Sequence, residues 1–465
     1  MELTDQQTAA AQVPGSVMVT AGPGTGKTRT LAERVQHLLR DQDPADITVV
    51  TFTRSAAAEL ATRLGDQVVA ALDYCGTLHG LAYRHQRHLD LATEDEAREV
   101  FDQIADLESR KAQEIARAHR CPGSRLERRW SDQVTRTLGY EGKTSMDDML
   151  RGYCAMLARG TAEAPRHLLV DEIQDACEVD WDIYRQAETL FGVGDPWQSI
   201  YGFRGANPDL FSQACQTYRC LELSVNFRST AAVVEASNAI ADRDQVTADG
   251  ADPGQATDWH LDTEAEQWDL VARDIGSRTG TQAVLCRTNA QAAEARQALK
   301  SRGIRAAGQA KRQSLLRALI YAHTRPDSAK AAQHLAIQLR MPLAAGEARE
   351  TWRRLGFGDH VERDEVVRAA PESLKGAIRK APAHELIGIL DEAERPQGEV
   401  LVQTVHAAKG AEYDHVYVPG VTLDRYPAES PEERRILYVA VTRARETVQC
   451  YAPDQEGGHR KSSAL

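Results

Sequence analysis

The sequence of 465 residues lacks several features that would assign it to particular classes of protein. No stretch approaches the roughly 20 apolar residues that a membrane-spanning helix needs. The 8 cysteines include no C-x-x-C pair, which argues against a zinc site or a disulfide framework. The first five residues, Met1 to Asp5, are polar and acidic, unlike a signal peptide. We therefore expect a cytoplasmic protein that has no membrane partner.

An excess of positive charge is also lacking, because the formal net charge is -12. This is the wrong sign for a protein that coats nucleic acid indiscriminately. Two stretches, at 110–136 and 296–317, are nevertheless locally basic. For each of them a solvated helix face and a phosphate-binding surface both remain open. The length and the hydrophobic content of 42% fit two or more globular domains.

The strongest motif is a glycine-rich loop between a predicted strand and a predicted helix. Val17–Thr20 is an apolar, β-branched run, and Arg29–Arg40 repeats its apolar residues at helical spacing. Glycines allow backbone N–H groups to surround phosphates, Lys27 would reach the β- and γ-phosphates, and the Thr28 hydroxyl would bind Mg²⁺. The motif therefore predicts a nucleoside triphosphate site. The loop consists of Ala21, Gly22, Pro23, Gly24, Thr25, Gly26, Lys27 and Thr28.

A second strong signal is a pair of carboxylates at the end of the apolar run 166–170. Asp171 suits the coordination shell of Mg²⁺, directly or through water. Glu172 suits a general base that orients the water attacking the γ-phosphate. An acidic helix N-terminus is the alternative reading of the pair. Together with the glycine-rich loop, the pair predicts ATP hydrolysis.

Aromatic residues make up only 6% of the chain, yet two of them share a polar loop after the predicted strand 190–195. Tyr201 and Phe203 in that loop suit base stacking on single-stranded nucleic acid, with packing in the core as the alternative. Gln198 in the same loop could sense the γ-phosphate. Near the N-terminus, Gln7 carries a donor and an acceptor and could read the edge of adenine.

Two further stretches bear on the organisation of the chain. The apolar run Ile47–Thr53 predicts a buried strand that leads into a helix over Ser55–Leu64, with Ser55 as its N-cap. From about His88 to Ala164 the sequence is charged and helix-forming, with few strand signals. This change of composition predicts a helical insertion into an α/β domain.

Taken together and in this order, the segments resemble the UvrD/Rep/PcrA group of superfamily 1A DNA helicases. The first half of the chain closes the series with Asn226–Ser229, and the second half continues the resemblance through Ala283–Gln291, Gln403–Tyr413 and Glu432–Ala444. The resemblance implies an α/β fold of two RecA-like P-loop motor domains with parallel sheets, each carrying a mainly helical insertion. The implied motor domains are residues 1–87 with 164–222 and residues 223–312 with 398–465. The implied insertions are residues 88–163 and a reduced segment at 313–397.

The resemblance also implies roles for individual residues. Besides Glu172, catalysis would use Lys27, Gln198 and two arginine fingers, Arg228 and Arg443. Beyond the glycine-rich loop, the nucleotide would be bound by Gln7, Arg29, Phe227 on the adenine and Glu412 on the ribose. The path of the single strand would be formed by Phe52, Thr77, His79, Tyr201, Phe203, His406 and Lys409.

By resemblance, we expect an ATP- and Mg²⁺-dependent DNA helicase or translocase that moves 3′ to 5′ on single-stranded DNA and acts at single-strand/duplex junctions. The family uses its second insertion to contact duplex DNA, and this insertion is small here, so duplex unwinding by the isolated chain stays open. Two alternatives remain. The chain could be a motor subunit that needs a partner, such as a nuclease, in a repair or phage-defence complex. It could also be an ATPase that senses DNA without unwinding it.

Overall fold

The structure is a computed structural model that describes residues 3–108, 110–248, 250–307, 366–367, 379, 400–422, 426 and 430–453. Its contacts divide the chain into two compact units, residues 1–267 with 405–465 and residues 268–404. The reduced insertion predicted at 313–397 lies almost entirely outside the described residues. Its boundaries, and those of the other predicted domains, stay a prediction. Within the described part of the chain, no helix has the length and apolar character to cross a bilayer.

The first half of the chain forms a six-stranded parallel sheet in the order β3-β2-β4-β5-β1-β6. Apolar and β-branched side chains dominate these strands, and β2 and β4 are buried along their whole length, as strands covered on both faces require. Because the strands run in one direction, the loops after β1, β4 and β5 meet at one edge of the sheet. The parallel α/β class predicted from the sequence is confirmed. The strands are β1 (Val17–Ala21), β2 (Ile47–Thr51), β3 (Tyr74–Thr77), β4 (His167–Asp171), β5 (Thr189–Gly194) and β6 (Arg219–Leu223).

The first helices are α1 (Asp5–Gln12), α2 (Lys27–Leu38), α3 (Arg54–Leu64), α4 (Asp66–Ala71) and α5 (Leu78–His85). Helix α2 begins two residues earlier than predicted, directly after Gly26, whose left-handed backbone makes it the N-cap. The predicted N-cap of α3, Ser55, is wrong, because Thr53 holds that position. The Thr53 backbone is extended, and its hydroxyl accepts a hydrogen bond from the Ala56 N–H at 3.1 Å. An N-cap residue needs this combination of geometry and acceptor.

The helical content predicted between residues 88 and 163 is confirmed. The helices there are α6 (Glu94–Glu108), α7 (Ala112–Arg120), α8 (Arg125–Tyr140) and α9 (Met146–Ala158). Apolar side chains of α6, α7 and α8, among them Ile104, Ile115 and Trp130, pack into a small core. The charged residues therefore lie around a local hydrophobic centre, which allows this segment to fold as a compact bundle.

Several arginines of the basic run at 110–136 have acidic partners inside this bundle. Arg117 pairs with Glu127, and Arg129 pairs with Glu108 at 2.7 Å. Arg129 keeps more than half of its side chain exposed, as is typical of ion pairs on solvated helix faces. These contacts favour a solvated face over a phosphate-binding surface for this run.

Helices α10 (Glu178–Tyr184) and α11 (Pro208–Thr217) complete the first half. Then follow β7 (Val225–Asn226), α12 (Ala231–Ala241), β8 (Val246–Thr247), β9 (Gln255–Leu261) and α13 (Glu264–Ser277). The second unit contains β10 (Gln282–Cys286), α14 (Asn289–Ser301), β11 (Ala306–Ala307) and β12 (Val400–Thr404), and β12 pairs in parallel with β10 and β11. The chain returns to the first unit with α15 (Val405–Ala408), β13 (Tyr413–Val418), α16 (Pro431–Val441) and β14 (Ala444–Pro453). Strand β14 pairs in parallel with β13 and β9, and β7 pairs in parallel with β8.

Candidate nucleotide-binding site and nucleic-acid interface

The glycine-rich loop after β1 turns tightly before α2 begins. Gly24 and Gly26 have φ angles of 72° and 83°, in the left-handed region that other residues rarely adopt. A Cβ atom at Gly24 would also collide with the side chain of Asn226, so the loop backbone packs directly against β7. The Lys27 ammonium lies over the loop and donates to the Ala21 carbonyl oxygen at 3.3 Å. This arrangement suits phosphate binding by backbone N–H groups, a helix N-terminus and one lysine.

Thr28 and Asp171, the predicted ligands of Mg²⁺, lie side by side. The Thr28 hydroxyl donates to Oδ2 of Asp171 at 3.5 Å. Magnesium takes oxygen ligands and usually binds one or two protein groups together with water and phosphate oxygens. A hydroxyl and a carboxylate at the end of the phosphate-binding loop therefore fit this ion.

Glu172, the predicted general base, has a backbone conformation that is uncommon for a residue other than glycine, with φ 53° and ψ 42°. Its carboxylate accepts a hydrogen bond from Gln174 Nε2 at 2.6 Å. Burial raises the pKa of Glu172, but the positive charges of Lys27 and Lys409 outweigh burial and hold that pKa below its ordinary value. Burial and the charge of Glu172 raise the pKa of Asp171 to about 7. Of the two carboxylates, Glu172 is the one whose pKa lies below its ordinary value, which suits a general base.

The two predicted arginine fingers lie close to each other. Arg443 is 3% exposed, and one of its amino groups donates to Oε1 of Gln198 at 3.3 Å. Burial and the charge of Arg228 lower the pKa of Arg443 to about 10. Arg228 forms an ion pair of 2.5 Å with Glu412, which also pairs with Arg445 at 3.0 Å. A buried and a half-buried guanidinium group that repel each other form a site that an anionic phosphate would stabilise.

Most of the predicted nucleotide-site residues line one cavity of about 510 Å³, a volume typical of small-molecule sites. Glu59, Arg63 and Asp175 are among the lining residues of this cavity that had no predicted role. Glu59 and Arg63 form an ion pair of 2.9 Å four residues apart on α3, so their spacing alone could have placed them on one helix face. The predicted residues that line the cavity are Gln7, Gly22, Gly24, Gly26, Lys27, Thr28, Arg29, Asp171, Glu172, Gln198, Phe227, Arg228, Glu412 and Arg443.

Gln7 is 2% exposed, and both ends of its amide contact the backbone. Its Oε1 accepts from the Thr4 N–H at 3.0 Å, and its Nε2 donates to the Thr25 carbonyl oxygen at 2.9 Å. Gln7 thus supports the glycine-rich loop, and its reading of adenine stays a prediction. Phe227 is 39% exposed, and its N–H donates to the Gly24 carbonyl oxygen at 2.9 Å. A partly exposed ring therefore borders the phosphate-binding loop, as its predicted stacking on adenine requires.

Four rings predicted on the single-strand path form a row in which each ring contacts the next. We call them the aromatic row: Phe52, Tyr201, Phe203 and His406. Phe52 and Tyr201 stack with ring centroids 5.3 Å apart and an interplanar angle of 17°. Phe203 meets Tyr201 edge-on at 6.1 Å and His406 edge-on at 5.6 Å. Phe203 is 44% exposed, which argues against packing in the core. The row is thus a continuous aromatic surface that joins residues from both halves of the chain.

Thr77 and His79, two further residues of the predicted path, both lie at the start of α5. The Thr77 hydroxyl caps α5 by accepting from the Gly80 N–H at 3.2 Å. His79 lines a smaller cavity together with Phe52 and Tyr201. The structure thus brings His79 to the row, whereas the Thr77 hydroxyl bonds to the backbone of its own helix.

Lys409 connects the cavity and the aromatic row. Its side chain is 8% exposed, and its ammonium lies 2.5 Å from Asp175 and donates to the Gln198 carbonyl oxygen at 2.8 Å. The same ammonium lies 4.5 Å from the centroid of the Tyr201 ring. Lys409 was predicted on the DNA path. In the structure its ammonium lies against the Tyr201 ring of the row and pairs with Asp175 in the cavity. Its contact with DNA stays a prediction.

A phosphate-binding loop, an acid pair and two arginines around one cavity define a P-loop nucleoside triphosphatase. The sequence profile of the UvrD/REP helicase N-terminal domain matches residues 3–118 and 86–219, and that of the UvrD-like helicase C-terminal domain matches residues 376–449. The ATP-dependent DNA helicase UvrD2 of Mycobacterium tuberculosis is 29% identical over 558 aligned positions, which cover 95% of this chain and 77% of the relative. DNA helicase II of Escherichia coli is 25% identical, with 95% and 83% covered.

These matches agree with the motifs and with the fold. The chain belongs to the UvrD-like family of superfamily 1A ATP-dependent DNA helicases. A further relative, the ATP-dependent DNA helicase PcrA of Staphylococcus epidermidis, is 23% identical over 95% of this chain and 82% of its own length.

Proposed function

We propose that this chain hydrolyses ATP in the presence of Mg²⁺ and uses the energy to move 3′ to 5′ along single-stranded DNA. The relatives named above are DNA helicases, and that description supports DNA as the substrate. The observation that carries the proposal is the position of Lys409, whose single ammonium group contacts Asp175 in the cavity and the Tyr201 ring in the aromatic row.

The cavity supports the following division of labour in hydrolysis. Lys27 and the loop hold the β- and γ-phosphates. Mg²⁺, held by Thr28 and Asp171, would neutralise charge on these phosphates. Glu172 accepts a proton from the attacking water as the water oxygen bonds to the γ-phosphorus and the bond to ADP breaks.

Charge that develops on the γ-phosphoryl group would be stabilised by Arg228 and Arg443, with Gln198 in contact with Arg443. Phe227 would stack on adenine, and Glu412 would bind the ribose. The proposal is supported by the common cavity that these residues line.

The aromatic row is proposed as the platform for the single strand. Every base offers a π-face, so stacking on partly exposed rings binds single strands with little regard to sequence. Arg204 lies over both Tyr201 and Phe203, at 5.6 and 5.7 Å from their ring centroids, and adds a positive charge for the phosphates. His406 and Phe52 extend the platform at its two ends, and Thr77 and His79 are proposed to flank it.

A second candidate function is a motor that unwinds duplex DNA only with a partner protein. The alignment with the mycobacterial relative spans 558 positions, more than the 465 residues of this chain, so the relative carries residues that this chain lacks. The spacing of the motifs leaves room for only a short second insertion at 313–397, and in the family this insertion contacts duplex DNA. A nuclease or another repair protein would be the expected partner.

The proposal is tested with biotinylated oligonucleotides that carry streptavidin at either end. A motor that moves 3′ to 5′ displaces streptavidin from the 5′ end faster than from the 3′ end in the presence of ATP and Mg²⁺. Equal rates at both ends, or displacement without ATP, would contradict the proposed direction or the proposed motor. Unwinding of a duplex with a 3′ single-stranded tail by the isolated chain would remove the need for a partner.

A further inference from the structure

The short connector between α12 and β8, residues 242–245, lies outside every motif that the sequence singled out. Two of its side chains, Arg243 and Gln245, nevertheless contact residues next to two separate parts of the nucleotide site. Directly after it, β8 pairs with β7, and the Ala248 N–H donates to the Asn226 carbonyl oxygen at 2.9 Å. The connector is therefore fixed beside the strand that precedes Phe227 and Arg228.

Gln245 packs on the backbone of the phosphate-binding loop. Its Nε2 donates to the Pro23 carbonyl oxygen at 3.0 Å, and the residue is 8% exposed. A Cβ atom at Gly22 would lie only 2.8 Å from the same Nε2, so the amide fits a space that glycine leaves open. Asn238 holds Gln245 in place, because its side chain donates to the Gln245 carbonyl oxygen at 2.7 Å and accepts from the Gln245 N–H at 3.2 Å.

Arg243 reaches the loop that carries Gln198. Its guanidinium forms an ion pair of 2.7 Å with Oδ1 of Asp195, whose side chain is fully buried. The other carboxylate oxygen of Asp195 accepts from Gln198 Nε2 at 2.9 Å and from the Tyr438 hydroxyl at 3.2 Å. Arg243 also donates to that hydroxyl at 3.3 Å. Asp195 thus contacts both Arg243 and Gln198 and links their positions. Gln198 in turn contacts Arg443.

We infer that Arg243 and Gln245 are positioning residues for ATP hydrolysis, with Gln245 acting on the phosphate-binding loop through Pro23 and Arg243 acting on Gln198 through Asp195. Neither side chain lines the nucleotide cavity, so each acts through the residue that it holds. The inference rests on the proposed ATP hydrolysis. It assigns different kinetic effects to the two residues, because Gln245 supports the loop that binds the phosphates and Arg243 supports a residue that faces the γ-phosphate.

The test uses Gln245→Glu, which keeps the size but replaces the donor by an acceptor, and Arg243→Ala with the conservative Arg243→Lys. Matched controls come from the second unit. Gln282 donates its amide to the Arg278 carbonyl oxygen at 3.0 Å, and Arg302 forms an ion pair of 2.7 Å with Asp269 at 25% exposure. Gln282→Glu and Arg302→Ala therefore make the same chemical changes at residues that do not line the cavity. Steady-state ATPase with poly-dT and ADP binding by calorimetry are measured for all variants.

We expect Gln245→Glu to weaken ADP binding and raise the KM for ATP about tenfold, with a smaller change in kcat, because a buried carbonyl loses its donor and meets a carboxylate. We expect Arg243→Ala to lower kcat about tenfold with little change in KM, and Arg243→Lys to restore part of it. Arg243→Ala combined with Gln198→Ala should cost no more than Gln198→Ala alone, because both act on one residue.

Values within twofold of the unchanged protein for both connector variants would overturn the inference. So would equal losses in the two controls, or full additivity of Arg243→Ala with Gln198→Ala. If the unchanged chain has no ATPase activity, the proposed function fails, and ADP binding by Gln245→Glu still decides the role of Gln245. Thermal melting of each variant separates these effects from a loss of folding.

Discussion

The nucleotide cavity and the aromatic row differ in the kind of contact that their side chains make. In the cavity, buried charged and polar groups contact one another, as Arg443 contacts the Gln198 amide and Lys409 contacts Asp175. In the row, rings contact each other by faces and edges, and Phe203 keeps 44% of its surface exposed. A buried polar network loses much when one member is removed, because the partner is left unpaired. A partly exposed ring loses mainly its own contact surface.

The comparison therefore predicts large effects on turnover from changes in the cavity and moderate effects on binding from changes in the row. Lys409 contacts both regions. Replacing Lys409 should therefore change how strongly DNA binding stimulates ATP turnover. The predictions below follow this order, from the largest expected effect to the smallest.

Replacement of Arg443 by alanine should lower kcat for ATP hydrolysis by about 10³–10⁵, the range expected for an arginine finger. The guanidinium that faces developing phosphate charge is lost, and Gln198 Oε1 loses a donor. Steady-state ATPase with poly-dT measures the effect. Arg302→Ala, which removes an ion pair in the second unit, should retain the turnover of the unchanged chain. A drop of less than tenfold for Arg443→Ala would remove this arginine from the catalytic set.

Replacement of Glu172 by glutamine should lower kcat by about 10²–10⁴ and retain ATP binding, because it removes the general base and leaves the loop and Thr28 in place. Single-turnover hydrolysis and equilibrium binding of ATP separate the two effects. Glu188→Gln serves as the control, because the Glu188 side chain is 62% exposed and pairs with Arg166. Hydrolysis close to normal in Glu172→Gln would assign the base elsewhere.

Replacement of Lys409 by methionine should reduce the ratio of DNA-stimulated to DNA-free ATPase by about 5- to 150-fold, the usual range of coupling between two sites. The methionine fills a similar volume but cannot join Asp175 to the Tyr201 ring. Lys143→Met, which removes an ion pair of 3.0 Å with Asp90 outside the predicted path, is the control. If the ratio is unchanged, the link between the cavity and the row does not pass through Lys409.

Replacement of Phe203 by alanine should weaken binding of single-stranded DNA by about 1–3 kcal/mol, the contribution of one stacked base. Fluorescence anisotropy with labelled poly-dT measures the affinity. Tyr140→Ala is a matched control, because this ring is 89% exposed at the end of α8 and lies in no ring pair of the row. Equal affinities for Phe203→Ala and the unchanged chain would mean that the single strand runs elsewhere.

Local patterns predicted much of the fold and of the cavity. A strand, a glycine-rich loop and a helix can be identified within the 22 residues from Val17 to Leu38, and the acid pair Asp171 and Glu172 lies at the end of its strand. The N-cap of α3 was misassigned because Thr53 and Ser55 are both good caps, and only the extended backbone of Thr53 decides between them. Patterns of this kind fail where two neighbouring residues carry the same chemistry.

Contacts between distant residues could not be predicted from local patterns. Gln245 meets Pro23 across 222 positions of the chain, and Lys409 meets Asp175 across 234. Neither glutamine nor lysine has a local signature for such a contact, since both are common on helix surfaces. These contacts are set by the packing of whole elements, which a single sequence does not reveal residue by residue.

The central claim is that one chain couples ATP hydrolysis in the cavity to a single strand on the aromatic row. Steady-state ATPase of the purified chain, with and without poly-dT, tests it most directly. The account predicts strong stimulation of hydrolysis by the single strand and little of it in Lys409→Met. A high rate that does not respond to poly-dT, or no hydrolysis in its presence, would contradict the claim.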